Sequence, residues 1–453
     1  MKSYKEDGSG GVKAWVVSVH MGLGHMRAAY ALRDIANGEI IVDGSETFCK
    51  PEEFNLWKHL RQLYYFMSRA ETIPFFGKFI MKLLYMIEQI PSYYPKRDLS
   101  APDWSVRYLG KLIKKRGLCS TLVETVKKSG IPVLNTFYGA AMAIDMMAPE
   151  KNDNYLLICD SDFHRVWVAD KPKKSRVKYL APCTRVKNRL LAYGVPAEHI
   201  YVTGFPLPKE NIGSPEKLEI LKDDLFARLL RLDPERHFFN IHEQTVEYYL
   251  GKSLPRHNPE KHFVLTFAVG GAGSQADLAA RILKSLRARI IAGDIKINLS
   301  AGIRSDVYMK FKEFVSRLRL PENCRDSVNI IHDQSLYRYY DRFNSALRMT
   351  DVLWTKPSEL SFYCALGIPI LMAPTIGVHE EQNSTWLQEI HTGVKPAGSL
   401  EHVDEWLFDL RTNGVLAEAA WDGFLKGRKL GVYKIEELLR TGKVGGGNSP
   451  LER

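Results

Sequence analysis

A chain of 453 residues, 45% hydrophobic and 25% charged, is too long for one ordinary domain of roughly 100–200 residues and too apolar for wholesale disorder. Its 63 Lys and Arg against 52 Asp and Glu give a formal net charge of +11, which suits an anionic partner: a nucleotide, a nucleic acid or an anionic membrane surface. The basic residues fall in short clusters, Lys111–Arg116, Lys171–Lys178 and Arg281–Arg289, with no zinc-finger, RNP or helix-turn-helix pattern beside them, and no nucleic-acid partner is expected.

In chain order, residues 1–11 are a polar, glycine-rich tail without the apolar core of a signal peptide. Apolar runs then alternate with amphipathic ones, the signature of β-α repeats and a parallel sheet. Expected strands are Ala14–Val19, Glu39–Val42, Val133–Thr136, Tyr155–Cys159, Lys178–Ala181 and Ile200–Thr203. After a proline-rich break from Pro206 to Lys261 come Phe263–Ala268, Asp294–Ser300, Val328–Ile331, Asp351–Trp354, Ile368–Met372 and Gly393–Lys395. This divides the chain into a first domain over 12–206, a linker over 207–261 with a helical insertion near Ser214–Arg231, and a second domain over 262–440. The last helix, Ala417–Leu439, is a candidate to cross back to the first domain.

Residues Leu56–Leu118 interleave aromatics and methionines with Lys and Arg. Aromatic stripes at helical spacing ordinarily face a core, so packing on the first sheet is the preferred reading, with an interfacial helix pair at an anionic membrane as the alternative. No run of about 18 apolar residues predicts a spanning helix. Six scattered cysteines without a Cys-x-x-Cys pair point to a reducing, cytoplasmic setting, with peripheral membrane association left open.

Several loops at expected strand ends carry chemistry. The first strand runs into His20-Met-Gly-Leu-Gly-His25, where Gly22 and Gly24 allow a tight turn and the following helix start points N–H groups at a ligand. His25 at the mouth of that loop is a candidate general base; capping or packing of the helix start is the competing role. Gly22-x-Gly24-x-x-Arg27 with Asp43 further on approaches a dinucleotide fingerprint, but Arg27 stands where the third glycine should be.

Asp160, Asp162 and His164 follow the Tyr155–Cys159 strand. A metal site there lacks further ligands, so no metal is expected and acceptor binding or domain-closure contacts are preferred. In the second half, Gly270, Gly271, Gly273 and Ser274 suit a diphosphate over a helix N-terminus, without the Gly-Lys-Ser/Thr ending of a P-loop. The stretch Asp351–Pro374 reads as strand, loop, helix and strand: Lys356 can pair with phosphate, Ser358 and Ser361 can hydrogen-bond at the helix start or cap it, and Glu359 can accept from hydroxyls. A second polar loop ends in Glu380, Gln382 and Asn383.

Taken in order, the Gly22–His25 loop, Asp160–Trp167, Gly194–Pro206, Val269–Gly273, Lys356-Pro-Ser and Glu380–Asn383 resemble the GT-B glycosyltransferases. The resemblance is closest to the branch containing monogalactosyldiacylglycerol synthase and the bacterial transferase that adds N-acetylglucosamine to lipid-linked peptidoglycan precursors. It covers most of the chain apart from 45–130 and 209–261. It implies an α/β, GT-B-like fold of two Rossmann-like domains whose parallel sheets face a central cleft. The second domain would hold a nucleotide-diphosphate sugar, a UDP-sugar by the family pattern, and the first an acceptor hydroxyl, with a lipid-linked acceptor in that branch.

By the same likeness His25 is the base, residues 270–274 cradle the diphosphate, and Glu380, Gln382 and Asn383 read the sugar. No cofactor and no metal would be needed. One departure stands out: an ungapped match on Gly367-Ile-Pro369 puts Glu359 where the family has threonine and Phe362 where it has the ribose-gripping glutamate. Two further readings therefore accompany the transferase: a non-catalytic sugar-nucleotide-binding or regulatory protein, and a sugar-nucleotide epimerase on the same fold.

Overall fold

The computed structural model describes residues 11–69, 89–255, 262–268, 275–375, 377–447 and 449–453. Two six-stranded sheets organise them. The first contains β1 (Trp15–Val19), β2 (Ile41–Asp43), β3 (Val133–Asn135), β4 (Asn154–Leu157), β5 (Lys178–Ala181) and β6 (Ile200–Val202) in the order β2-β1-β3-β4-β5-β6. The second contains β7 (Phe263–Ala268), β8 (Ile295–Gly302), β9 (Val328–His332), β10 (Val352–Thr355), β11 (Ile370–Met372) and β12 (Gly393–Val394) in the order β12-β11-β10-β7-β8-β9. Read from its own first strand, this second order is the 3-2-1-4-5-6 of the dinucleotide-binding fold, and the first is an extended flavodoxin-like order. Both sheets are Rossmann-like.

The pairings are parallel throughout, and helices cover both faces, so central strands bury every side chain. That is why they read as continuous apolar runs and not as alternating ones. All six residues of β7, Phe-Val-Leu-Thr-Phe-Ala, are buried, as are all four of β10. All twelve expected strands are present, Lys178–Ala181 and Phe263–Ala268 with the expected bounds and the others with ends shifted by up to two residues. At β11 the ladder starts at Ile370 because Pro369 has no N–H to give, although its carbonyl still accepts from Leu353 N at 3.1 Å.

The chain folds as two compact units. The first gathers the described residues through Pro206 together with 377–382 and 430–447; the second gathers 207–376, 383–429 and 448–453. The stretch expected as a linker therefore belongs to the second unit. It carries two helices, Glu219–Leu232 and Phe239–Leu250, of which only the first was legible. Leu221, Leu225, Leu229 and Leu232 form the buried stripe of that first helix.

Two of its charged residues are buried as well. Arg228 donates to the carbonyls of Thr350 at 2.6 Å and Leu366 at 2.9 Å. Arg231 Nε donates to Asp351 Oδ1 at 2.8 Å, while Asp351 Oδ2 accepts from Val264 N at 2.8 Å. A helix read as an insertion is thus tied to the strand ends at the centre of the second sheet. Hydrophobic burial places the helix, and hydrogen bonds to otherwise unpaired carbonyls fix its register.

The single C-terminal helix expected over Ala417–Leu439 is instead two, Val415–Lys426 and Gly431–Thr441, separated at Gly427–Leu430. Gly427 ends the first helix, in keeping with the poor helix propensity of glycine. Gly431 opens the second where a Cβ would lie 2.1 Å from the carbonyl oxygen of Phe205, so only glycine permits this close approach to the end of the first unit's β-α repeat.

Candidate functional site

In an open parallel sheet the ligand crevice lies at the strand carboxyl ends where the strand order reverses. In the first unit that point falls between β1 and β3. The loop leaving β1 turns at Gly22, whose φ of 80° is one that side chains rarely adopt. Helix α1 (Gly24–Ala31) starts directly after it, without a side-chain cap at Leu23 and with no acidic residue in its first turn.

His25 lies on the first turn of α1, half-buried. Its ring stands edge-on to Phe137, with centroids 5.5 Å apart, and is 5.9 Å from the Trp167 ring. Tyr138 closes the group, 4.2 Å from Phe137 and 5.0 Å from Trp167, and Trp57 backs Phe137 at 6.0 Å. The imidazole is thus set in an aromatic wall built by the loops after β1, β3 and β4. Sequence reasoning passed over Phe137 and Tyr138; their signal was their place immediately after the expected end of β3.

The Asp160–His164 segment corrects an expectation. Asp162 is fully buried and accepts from Arg189 through both oxygens, at 2.7 and 2.9 Å, and from Phe163 N at 2.9 Å. It pins the loop after β4 to the Thr184–Ala192 helix, and a buried carboxylate so fully bonded is not offered to an acceptor. His164 accepts from Val166 N through Nδ1 and reaches Asp103 through Nε2 at 3.3 Å. Burial lowers its pKa against the opposing pull of Asp103. Asp160 is half-buried.

Glu380, Gln382 and Asn383 do not sit in a loop. They lie on the helix Val378–Glu389, where Glu380 and Asn383, three residues apart, share a face and Gln382 points away from it. Glu380 is buried, and Gln382 belongs to the first unit: its Oε1 accepts from Arg185 Nη2 at 2.6 Å and its carbonyl from Ser161 Oγ at 3.2 Å. Asn383 groups with the second unit, fully buried, its Nδ2 facing the Pro357 carbonyl at 3.5 Å.

In the second unit the strand order reverses between β7 and β10. Gly270, Gly271, Gly273 and Ser274 lie outside the described residues. The loop's far flank is Gln275, buried, with Nε2 donating to the Pro374 carbonyl at 2.7 Å, which ties the end of the β7 loop to the end of β11. Helix Ala276–Ala292 starts from there.

After β10 come half-buried Lys356 and Ser358, then a 3-10 helix, Glu359–Leu366, in place of the α-helix expected. Its tighter turn is visible in Ser361 N donating to Ser358 O at 2.9 Å. Glu359 is half-buried. Phe362 does not enter the crevice; it is 3% exposed and packs on Trp386 with centroids 5.0 Å apart. Ser361 Oγ and Gln275 Oε1, like Trp354 Nε1 in β10, are buried without a hydrogen-bond partner among the described residues. Each such atom costs roughly 1–3 kcal/mol unless something bonds it.

Comparison with known proteins adds the following. A family described as a domain of unknown function (DUF6938) matches residues 244–435. No curated protein matches the chain. Among solved structures it is similar to the S. aureus MnaA-UDP co-structure at 11% identity and a TM-score of 0.47, covering 95% of this chain and 98% of that one. It is similar to Acinetobacter baumannii MurG at 12% identity and a TM-score of 0.45, covering 94% and 98%. It is also similar to the UDP-GlcNAc 2-epimerase of Methanocaldococcus jannaschii at 13% identity and a TM-score of 0.33, covering 79% and 88%.

Proposed function

We propose that the chain is a glycosyltransferase that moves a sugar from a nucleotide-diphosphate sugar to an acceptor hydroxyl. The donor is assigned to the second unit, where the β7 and β10 strand ends meet at the order reversal. The observation that carries the reading is Ser361 Oγ, fully buried in the turn that follows Ser358, with no hydrogen-bond partner among the described residues. A phosphate or ribose oxygen would satisfy it. Lys356 and the start of the Ala276–Ala292 helix then counter the charge of the leaving diphosphate, so that chemistry needs no metal.

The first unit supplies the acceptor side. His25 takes the proton from the attacking hydroxyl, and the rings of Phe137, Tyr138 and Trp167 offer apolar faces to a sugar or lipid-linked acceptor. Titration calorimetry with uridine, guanosine and thymidine diphosphates tests the donor assignment. Binding of at least one at micromolar concentration is expected; no heat with any of the three sinks it.

A lipid-linked acceptor is also in keeping with the Trp104–Arg116 helix. It buries Val106, Leu109, Leu112 and Ile113. Its outer face carries Trp104 and Tyr108, 55% and 51% exposed, beside exposed Arg107, Lys111 and Lys115. Aromatic rings flanked by cations suit the headgroup layer of an anionic membrane. Among the described residues, no helix is long and apolar enough to cross a membrane. The chain is expected to float with anionic vesicles at low salt and to be released by salt and by Lys111→Glu with Lys115→Glu. Failure to float with anionic vesicles at low salt removes this part of the reading.

A further inference from the structure

A second group of chemistry-bearing residues lies on the other side of β1, at the end of β2 and apart from the residues assigned to transfer. Asp43 is the last residue of β2, Cys49 precedes helix α2 (Pro51–Arg69), Glu53 lies in the first turn of that helix, and Cys119 precedes the Ser120–Val126 helix. Their exposures are 1%, 8%, 3% and 0%. One donor atom from each of Asp43, Cys49 and Glu53 lies within 4.8 Å of the others. The Cys119 thiol packs against the Asp43 carboxyl.

Each carboxyl is held by one oxygen only. Asp43 Oδ1 accepts from Gly44 N at 3.0 Å and from the Cys49 thiol at 3.5 Å. Glu53 Oε2 accepts from Ser120 Oγ at 3.0 Å, Thr121 N at 3.0 Å and Thr121 Oγ1 at 2.7 Å. The second oxygens, Asp43 Oδ2 and Glu53 Oε1, are buried with no hydrogen-bond partner among the described residues. The sulfur of Cys49 is itself an acceptor, receiving Gly44 N at 3.1 Å, as metal-bound thiolates often do.

Among the described residues, no hydrogen bond or ion pair joins a Lys or Arg to Asp43 or Glu53. The carboxylate that acts on Asp43 is Glu53, another acid. The neighbouring Lys50 extends instead to Glu124, 2.9 Å away. Two carboxyl oxygens buried without a partner among the described residues are costly to leave so. A divalent cation meets all the unsatisfied demands at once.

We propose that Asp43, Cys49 and Glu53, with Cys119 as fourth donor, hold a zinc ion that fastens β2 to α2 and to the start of the Ser120–Val126 helix. A mixed oxygen and sulfur set suits this borderline-soft metal. Its bonds of about 2.0–2.3 Å place tetrahedral donors roughly 3.3–3.8 Å apart, so Asp43, Cys49 and Glu53, now within 4.8 Å of one another, need to contract by only about an ångström, and Cys119 would close in from beside Asp43. On binding, the thiols give up their protons to solvent as the sulfurs bond to zinc. Gly44 N, Thr121 N and the two hydroxyls remain as the outer layer that orients the ligands. The role is structural: α2 also carries Trp57, which backs the aromatic wall beside His25.

The test uses the full chain expressed with zinc, dialysed into metal-free buffer and measured by atomic absorption. About one zinc per chain is expected, lost in Cys49→Ser and Asp43→Asn and kept in Cys183→Ser, which alters a buried thiol elsewhere. Cobalt titration of the stripped wild-type chain should give sulfur-to-cobalt charge-transfer absorption, which decides the matter even where a variant fails to fold. A wild-type chain that takes up no zinc and shows no cobalt-thiolate band overturns the proposal, as does full zinc content in both ligand variants.

Discussion

Asp351→Ala is expected to destabilise the second unit by about 3–5 kcal/mol, the cost of breaking a buried ion pair by removing one partner. Against total stabilities of about 5–15 kcal/mol, such a loss takes a large part of what holds a domain folded. The reason lies in what the carboxylate joins. It receives Arg231 Nε and the backbone N–H of Val264, both at 2.8 Å and all out of water. Removing it leaves a guanidinium and an amide buried without their partner.

Burial raises the Asp351 pKa even against the pull of Arg231 and Arg228, so the pair is expensive to assemble and more expensive to break. The paired replacement Asp351→Leu with Arg231→Met should therefore recover a good part of the loss. Denaturant unfolding of wild type, single and double variants checks both statements. A single variant within 1 kcal/mol of wild type would show that water reaches the site and that the ion pair carries little; the threshold is about the scatter of a typical surface substitution.

The second large effect is kinetic. His25→Ala is expected to lower kcat by about 10²–10⁴-fold, the usual contribution of a positioned general base, while leaving nucleotide affinity nearly intact. The separation follows from placement: His25 belongs to the loop after β1 in the first unit, whereas Lys356, Ser358 and Ser361 belong to the second. Single-turnover rates paired with calorimetric affinities measure the two quantities separately. A parallel loss of both would move His25 from proton transfer to binding, and a kcat unchanged within about threefold would remove it from the chemistry.

The sheets were legible because parallel strands buried on both faces print as apolar runs, and β7 or β10 cannot be mistaken once helices flank them. The side-chain partnerships were not. Arg228 and Arg231 look like the solvated face of an amphipathic helix, yet their acceptors are carbonyls and a carboxylate some 120 residues further along. Asp162 looked available because its partner, Arg189, lies 27 residues away on the next helix.

The same physics explains the candidate site. Gly22 was readable because a positive φ demands a residue type. Glu380, Gln382 and Asn383 were placed in a loop because a polar run after a strand is compatible with either a loop or the first turn of a helix, and only packing decides. Phe362 is buried against the ring of Trp386, a contact that the sequence did not announce.

The final helix, Gly431–Thr441, completes the first unit although it comes near the end of the chain. At synthesis rates of roughly 5–20 residues per second, the segment that intervenes takes tens of seconds to emerge. For that time the first sheet is on the ribosome's exterior with a helix-sized apolar surface uncovered beside Phe205. The nascent chain is then a natural client for chaperones, and a fragment ending near Pro206 would stay in that condition permanently.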